Sequence, residues 1–571
     1  MRRIIPAFPF ISVRFGLIDA IIFLFFVAVV SLIVYVASGW RFEISQAVEI
    51  NLHPVYIPLY SANSLVRMFF AYLLSLLFSI LYGYLANRSK THEKVMIPLL
   101  DVLQSIPVLS FLPSVTLAMI AIFPDRRLGI ELASILLIFT GQVWNMAFSY
   151  YNSISTIPRE LTAVTTVFKH NRFTKVLYLD LPFSAIGMVW NSMMSAAGGW
   201  FFLMACEMFV LGDKDFRLPG IGSYIQTAAN HGDLAHILLG IGTMVVLIVI
   251  LDLLVWRPLV AWSQKFRFDM VQPEEERESL ILDLLRRSAL AEKIGLWGAK
   301  GVEKAEALYE RGATLSRRKI VGIPWKSASI LFPGAALLLL GWSLVKAFAL
   351  FAGLSYQDYS QVFVAAFYSI LRTTAAIVIA FLWTVPVGVY IGTNPRASKM
   401  LQPVVQVVAS IPATAVFPVI LLFLIRLGGG LDTGSIFLML LGTQWYLLFN
   451  VIAGATAIPQ DLREVSRLYG VTGFRKWRTL ILPGIFPYLI TGLITATGGA
   501  WNATIVSEYV TFGGNVLKTD GLGSLISQAI VSGNFGLLFV STVTMAAIVV
   551  SINRLLWKRL FALAREKYRL D

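Results

Sequence analysis

Apolar residues in this chain come in long runs separated by short polar stretches, and the spacing of the interruptions sets the architecture. A helix needs about 20 mostly apolar residues to cross a hydrocarbon core about 30 Å thick. Leu17 to Ser38 is the first such run. Others lie near 62–86, 103–123, 131–152, 183–210 and 236–259, and, after a polar gap, near 327–352, 364–391, 403–425, 435–456, 484–510 and 535–557. The pattern predicts an all-α polytopic membrane protein with about 12 transmembrane helices, six on each side of the gap. Prolines interrupt the third and ninth runs. The first run follows Arg2, Arg3 and Arg14 and is too long for the core of a cleavable signal peptide, so it reads as a retained span.

The two sets of spans are copies. QSIPVLSFLP (Gln104 to Pro113) matches ASIPATAVFP (Ala409 to Pro418) at an offset of 305, which also pairs Arg67 with Arg372 and Gly83 with Gly388. Further on the offset is 301, pairing Trp144 with Trp445, Phe173 with Phe474, Leu181-Pro182 with Leu482-Pro483, Trp200 with Trp501 and Glu207 with Glu508. An even number of spans separates the copies, so they share one orientation and form a parallel repeat. The polar joint, about 260–326, carries Pro273 followed by Glu274 to Glu276, a helix-start pattern. It predicts one or two amphipathic cytoplasmic helices acting as a tether.

Composition adds a direction. Of the 571 residues 57% are hydrophobic and 14% charged, which excludes a disordered chain and an ordinary soluble enzyme. The net charge of +15 would suggest nucleic acid in a soluble protein. With the N-terminus placed inside, 37 of the 47 Lys and Arg residues fall on inner segments, so the excess reads as topology and not as nucleic-acid binding. Both termini are then cytoplasmic. Cys206 is the only cysteine and the five histidines are scattered, so no metal site and no catalytic constellation is expected.

The inner loop between the fourth and fifth spans is long in both copies. The second reads IPQDLREVSRLYGVTGFRKWRTLILPGIFPYL from Ile458. Leu462, Val465, Leu468 and Tyr469 share a helical face, Gly470 suits a left-handed helix end, and Phe474, Trp477 and Leu480 suggest a second helical turn before Pro483. Such a knob is shaped to dock in a groove of another protein.

Here Glu464, Ser466, Gly470 and Leu482-Pro483 resemble the coupling (EAA) loop of ATP-binding-cassette importer permeases. The following TGLITATGGAWNATIVSEYVTFGG is similar to permeases for nitrate, sulfonates, taurine and related anions. The resemblance covers about 60–260 and 365–560. It implies a type I importer permease fold, divided as a first helix and outer loop (1–60), a first permease repeat (61–262), a cytoplasmic linker (263–326), a seventh helix and outer loop (327–363) and a second repeat (364–571). It also implies a small-anion path in a prokaryotic inner membrane, two separate ATPase subunits that bring ATP and Mg, and an extracytoplasmic substrate-binding protein. The chain itself has no phosphate-binding loop, since GLWGAKG (Gly295 to Gly301) does not fit GxxxxGK[ST], so it reads as a transport subunit and not an enzyme. The coupling residues implied are Glu160, Ala163, Lys169, Phe173 and Pro182 in the first loop and Asp461, Glu464, Ser466, Gly470, Phe474 and Pro483 in the second. The first copy departs from the pattern: Ala163 replaces Glu464 and Lys169 replaces Gly470, with His170-Asn171 as an alternative source of the turn.

Inside the membrane, Ser105-Ile106-Pro107 and Ser410-Ile411-Pro412 predict a kink in each half, and irregular backbone at that depth lines a cavity or packs on protein. Ser105, Pro107, Ser410, Pro412, Trp200 and Trp501 are therefore path candidates, the tryptophans with packing as the favoured alternative. Arg67 and Arg372 sit at outer helix ends and would draw in an anion or snorkel. Glu207 and Glu508 lie 25 residues beyond Pro182 and Pro483, about 37 Å along a helix, at the outer interface, where a carboxylate is easily solvated; they are outer-gate candidates. The rival reading, a secondary transporter of the major facilitator type, shares the six-plus-six layout but expects a G-x-x-x-D-x-x-G-R-R-like run where this chain has ANRSKTHEKV.

Overall fold

The structure, a computed structural model, describes residues 49–266 and 341–567, apart from 106, 124–125, 169–170, 212–213, 343–344, 347, 349, 410, 427–429 and 513–514. The first apolar run, most of the seventh, and the linker 267–326 lie outside the described residues, as do Lys169 and Ser410.

The described chain is helical, with two small antiparallel hairpins. Its first half holds α1 (Ile57–Ala86), α2 (Lys90–Ser105), α3 (Leu112–Ile122), α4 (Arg126–Ser155), α5 (Arg159–Val167) and α6 (Leu181–Glu207). The hairpin β1 (Val210–Leu211) and β2 (Lys214–Asp215) follows, then α7 (Ile221–Asn230) and α8 (Leu234–Leu251). The second half repeats the order as α9 (Tyr356–Thr393), α10 (Pro395–Ala409), α11 (Ala413–Arg426), α12 (Leu431–Ala457), α13 (Gln460–Leu468) and α14 (Leu482–Ser507). It closes with β3 (Tyr509–Phe512), β4 (Asn515–Lys518), α15 (Leu522–Val531) and α16 (Phe535–Ile552).

Among the described residues seven helices are long and apolar enough to cross a membrane. They account for the second, fourth, sixth, eighth, tenth, eleventh and twelfth apolar runs. The fifth is the 27-residue α6, long enough to cross and equivalent to α14. The third and ninth runs differ from the kink expected of them. Each is cut into two helices, α2/α3 and α10/α11, and at the first cut Pro107 is extended (φ −63°, ψ 111°). A proline removes one ladder hydrogen bond, and here the chain leaves the helix altogether.

In each half, two long helices pack on a central one: α1 and α6 on α4, α9 and α14 on α12. Glycines set the approach. A methyl on Gly83 would lie 2.7 Å from the Tyr150 ring, and one on Gly388 would lie 2.8 Å from Val451. The broken spans then cross over. Helix α11 packs on α6, α7 and α8 of the other half, while α2 packs on α16 and the turn Val108–Phe111 on α14. One hydrophobic core accordingly contains Leu109 and Trp200 together with Ala415, Trp501 and Phe539.

Candidate functional site

At the end of the bundle away from the coupling loops, each half holds a buried ionic clamp. In the first, Arg67 of α1 is 2% exposed. Its Nε and Nη2 donate to both Glu131 oxygens at 2.6 and 2.7 Å, and its Nη1 donates to Glu207 Oε1 at 2.7 Å. Ser64 donates to the same Glu207 oxygen at 2.7 Å, and the Gly222 N–H donates to the other at 2.8 Å. Glu207 thus occupies the N-terminus of α7, where free N–H groups and the helix dipole favour a carboxylate. Gly220 must be small, because a side chain there would run into that carboxylate.

The second clamp repeats the plan with looser geometry. Ser369 donates to Glu508 at 2.7 Å and Gly523 N–H at 2.8 Å, but Arg372 Nη1 stands 3.4 Å from Glu508. Arg372 Nη2 donates to Asp432 at 2.9 Å and to Thr519 at 2.6 Å, and Nη1 reaches the Asp520 carbonyl.

Two expectations are corrected here. Glu207 and Glu508 are fully buried and paired instead of being solvated at an interface. Arg67 and Arg372 are bound to those carboxylates instead of facing an anion path, because an unpaired buried charge costs far more than a paired one. The partners Ser64, Glu131, Ser369 and Asp432 are not among the residues that the sequence motifs point to. The repeat register carries the signal, since Ser64 pairs with Ser369 at 305 and Glu131 with Asp432 at 301.

Between the halves lies a cavity of about 1570 Å³, lined from both. Its wall reaches Thr456, Ala457, Ile458 and Arg463 beside the second coupling loop, so its mouth is at that end of the bundle. At the closed end Gln104, Val108, Ile411 and Pro412 bring in the two broken spans. Pro412 lies on the wall; Trp200 touches it but is 3% exposed, with Trp501 (1%) in the hydrophobic core, and Pro107 is buried. Ser105 ends α2. Trp144 and Trp445 also line the cavity. Gly198, Gly498 and Gly499 face it, whereas Gly199 abuts Gln142. The first break is pinned across the halves: Val108 N–H donates to Asn502 Oδ1 at 2.6 Å, and Asn502 Nδ2 donates to the Gly498 carbonyl at 3.1 Å. The residue in register with Asn502 is Phe201.

The second coupling loop stands at the cavity's mouth, with Ile458 and Arg463 on the cavity wall. In the second, α13 ends at Tyr469, Gly470 takes φ +60°, and the N–H groups of Val471 and Gly470 donate to the carbonyls of Ser466 (2.9 Å) and Arg467 (3.0 Å). That pair of bonds is the Schellman helix stop. The turn Gly473–Lys476 follows and runs into α14, so the helix, glycine turn and second helix have the expected order. Leu468, Tyr469 and Phe474 are 84%, 80% and 81% exposed, and Asp461 and Glu464 are exposed beside them. Ser466 is buried under the turn, and Pro483 lies in the first turn of α14.

In the first loop, α5 carries exposed Glu160 and Ala163 and ends on exposed Val167 and Phe168. Asn171 is not the left-handed residue offered as an alternative. It is extended (φ −73°) and caps the turn Arg172–Lys175 by accepting from Thr174 N–H at 2.8 Å. Phe173 is half-buried where its counterpart Phe474 is 81% exposed, so this residue adds less apolar surface to the first knob; Pro182, like Pro483, is half-buried.

Comparison with known proteins bears on this arrangement. The family described as "Binding-protein-dependent transport system inner membrane component" matches twice, over residues 75–257 and 384–556. The nitrate import permease protein NrtB of Synechocystis sp. is 28% identical over 196 residues, 34% of this chain and 66% of that protein. The bicarbonate transport system permease protein CmpB of Synechococcus elongatus is 28% identical over 194 residues, 34% and 65% of the two chains. The taurine transport system permease protein TauC of Escherichia coli is 27% identical over 161 residues, 28% and 55%. The chain thus spans just under two thirds, or less, of the length of these relatives. The double family match gives no support to the major facilitator alternative.

Proposed function

Because this chain belongs to the family of binding-protein-dependent transport system inner membrane components, and carries that domain twice, we propose that it is the whole membrane path of an ATP-driven importer for a small anion. The observation that carries the reading is a pair of exposed apolar knobs, one following α4 and one following α12, the second of them at the wall of a cavity shared by both halves. Large exposed apolar side chains on a short helix are suited to seat in a partner's groove. Two separate ATPase subunits, supplying ATP and Mg, would each grip one knob on the cytoplasmic side. Their closure would draw α5 and α13 together, shut the mouth, and open the clamped end to a substrate-binding protein outside.

The clamps fit that role as rigid hinges. Each ties α1 or α9 to a short helix of the same half through a buried carboxylate. The anion class is supported by the names of the relatives, which include nitrate, bicarbonate and taurine permeases. Lipid-facing surfaces of α1 and α9 are rich in exposed Phe, Leu and Val, as a bilayer such as a prokaryotic inner membrane requires. The test is reconstitution of the chain with its ATPase subunits and binding protein in proteoliposomes. ATP-dependent uptake of nitrate, bicarbonate or taurine supports the reading; uptake that persists without ATP, or the absence of any associated ATPase, overturns it.

A further inference from the structure

The cavity leans on the broken span of the second half. Ser398, Lys399, Gln402, Gln406 and Ala409 of α10 line it, whereas Gln104 is the one described residue of the equivalent helix α2 that does. Lys399, Gln402 and Gln406 follow one another at intervals of three and four, so they share one helical face. The residues in register with the first two are Lys94 and Ile97, and neither is on the wall. Thr456 Oγ1 donates to the Gly392 carbonyl at 3.3 Å, which holds the end of α9, and the start of α10 just after it, at the cavity's mouth. From there the polar face leads inward at about 1.5 Å per residue toward Pro412 at the closed end.

The charges on this wall are unequal in sign and in commitment. Its described residues include three cations, Arg257, Lys399 and Arg463, and one acid, Asp252. Asp252 accepts from Arg257 Nε at 2.8 Å, and Arg463 Nη2 donates to the Ala455 carbonyl at 2.5 Å. Lys399 is exposed and has no hydrogen bond or ion pair among the described residues. One turn further in, Ser398 Oγ donates to Gln402 Oε1 at 3.1 Å, which occupies the amide oxygen and leaves the amide N–H groups without an acceptor among the described residues. An ammonium and an amide N–H2, with Cβ atoms about 5–6 Å apart on one face, are thus left as donors on the cavity wall.

We propose that Lys399 and Gln402 form an anion perch just inside the mouth, on one side of the cavity only, and that Lys399 is the residue that selects the charge of the solute held there. This rests on the importer reading and assigns its charge selection to a place. Hydrogen bonds to an anion are about twice as strong as neutral ones, and both donors of the perch are uncommitted. A cation meets the same ammonium as a like charge, and the wall's acid is already tied to Arg257. The perch is exposed to solvent at the mouth, so it gathers anions without trapping them.

The purified full chain in lipid nanodiscs tests this without substrate or partners. Its one cysteine, Cys206, is buried, so Gln406→Cys places a reporter thiol about 10 Å deeper than Lys399 on the same face. The rates of its modification by an anionic and a cationic methanethiosulfonate of similar size are compared at about 10 mM salt. At that distance and ionic strength one unit charge in a water-like medium shifts the ratio of the two rates by roughly threefold. Lys399→Gln should lower the anion-to-cation ratio about threefold, and Lys399→Glu about ninefold. Lys399→Arg should keep the ratio, and Lys94→Gln, the same charge lost off the wall, should not move it. Gln402→Met should slow the anionic reagent alone. A ratio indifferent to Lys399, or one that Lys94→Gln lowers equally, would overturn the perch, as would an anionic rate that Gln402→Met leaves unchanged. The two readings fail separately. A ratio that follows Lys399 in a chain without ATP-driven uptake sinks the importer and leaves the perch, and ATP-driven uptake with a ratio indifferent to Lys399 does the reverse.

Discussion

Gly470→Val isolates backbone conformation from everything else in the second coupling loop. Gly470 stands at φ +60°, and a methyl built on it meets nothing within 4 Å, so the substitution adds no clash. What it adds is strain. An ordinary L-residue pays about 1–2 kcal/mol in the left-handed region, and a β-branched one lies at the upper end of that scale or above it. About 2 kcal/mol depletes the wound turn by roughly 30-fold. The two carbonyls of Ser466 and Arg467 lose their donors, and Leu468, Tyr469 and Phe474 lose their common orientation. The assay is ATP-driven uptake and substrate-stimulated ATP hydrolysis in proteoliposomes containing the complete importer. Both should fall by at least tenfold, while the unfolding midpoint of the chain alone stays near wild type, because the turn is outside the core. Gly470→Asn is the companion variant: asparagine tolerates the left-handed region, so most activity should return. If the valine variant transports normally, the turn does not couple the halves to ATP. If asparagine is as damaging as valine, side-chain bulk and not backbone strain is responsible, and the reasoning fails.

Further substitutions read the other parts of the site. Arg67→Leu strands two carboxylates around a buried position and should cost about 3–5 kcal/mol, measured as a lowered unfolding midpoint in detergent. Arg372→Leu should cost less, since its partner Asp432 is 76% exposed and can be solvated; equal losses would contradict the inequality of the two clamps. Asn502→Leu leaves the Val108 N–H without its acceptor and should cost about 1–3 kcal/mol, more than Phe201→Leu at the equivalent place. Leu468→Asp combined with Tyr469→Asp should abolish co-purification of the ATPase subunits with the unfolding midpoint changed by less than about 0.5 kcal/mol equivalent, because both side chains are already in solvent.

Features that rest on local pattern are legible in the amino-acid sequence. Apolar run length places the long helices, and the repeat register, in which Glu207 and Glu508 share a position, makes the two halves equivalent. The second coupling loop is readable down to Gly470 because a helix stop is written in adjacent residues. The clamps are not, because a lone glutamate near a helix end looks the same whether it meets water or an arginine 140 residues away. The cut at Pro107 goes beyond the expected kink for a related reason. Proline forbids one backbone bond, but whether the helix bends or ends depends on who accepts the freed groups, and here Asn502 belongs to the other half. The hairpins leave no trace in the hydropathy pattern because strands of two to four residues are too short to show a period.

Asn502 and Phe201 also say something about why the halves share one polypeptide. Two identical subunits meeting on a twofold axis must put the same residue on both sides, so an amide that suits one break would be imposed on the other. Joining the copies lifted that restriction, and the register now holds an amide on one side and a phenyl ring on the other. A solute in the cavity therefore meets a left wall and a right wall that differ, and can be held facing one way. Handedness of this kind is open to a fused chain and closed to a homodimer.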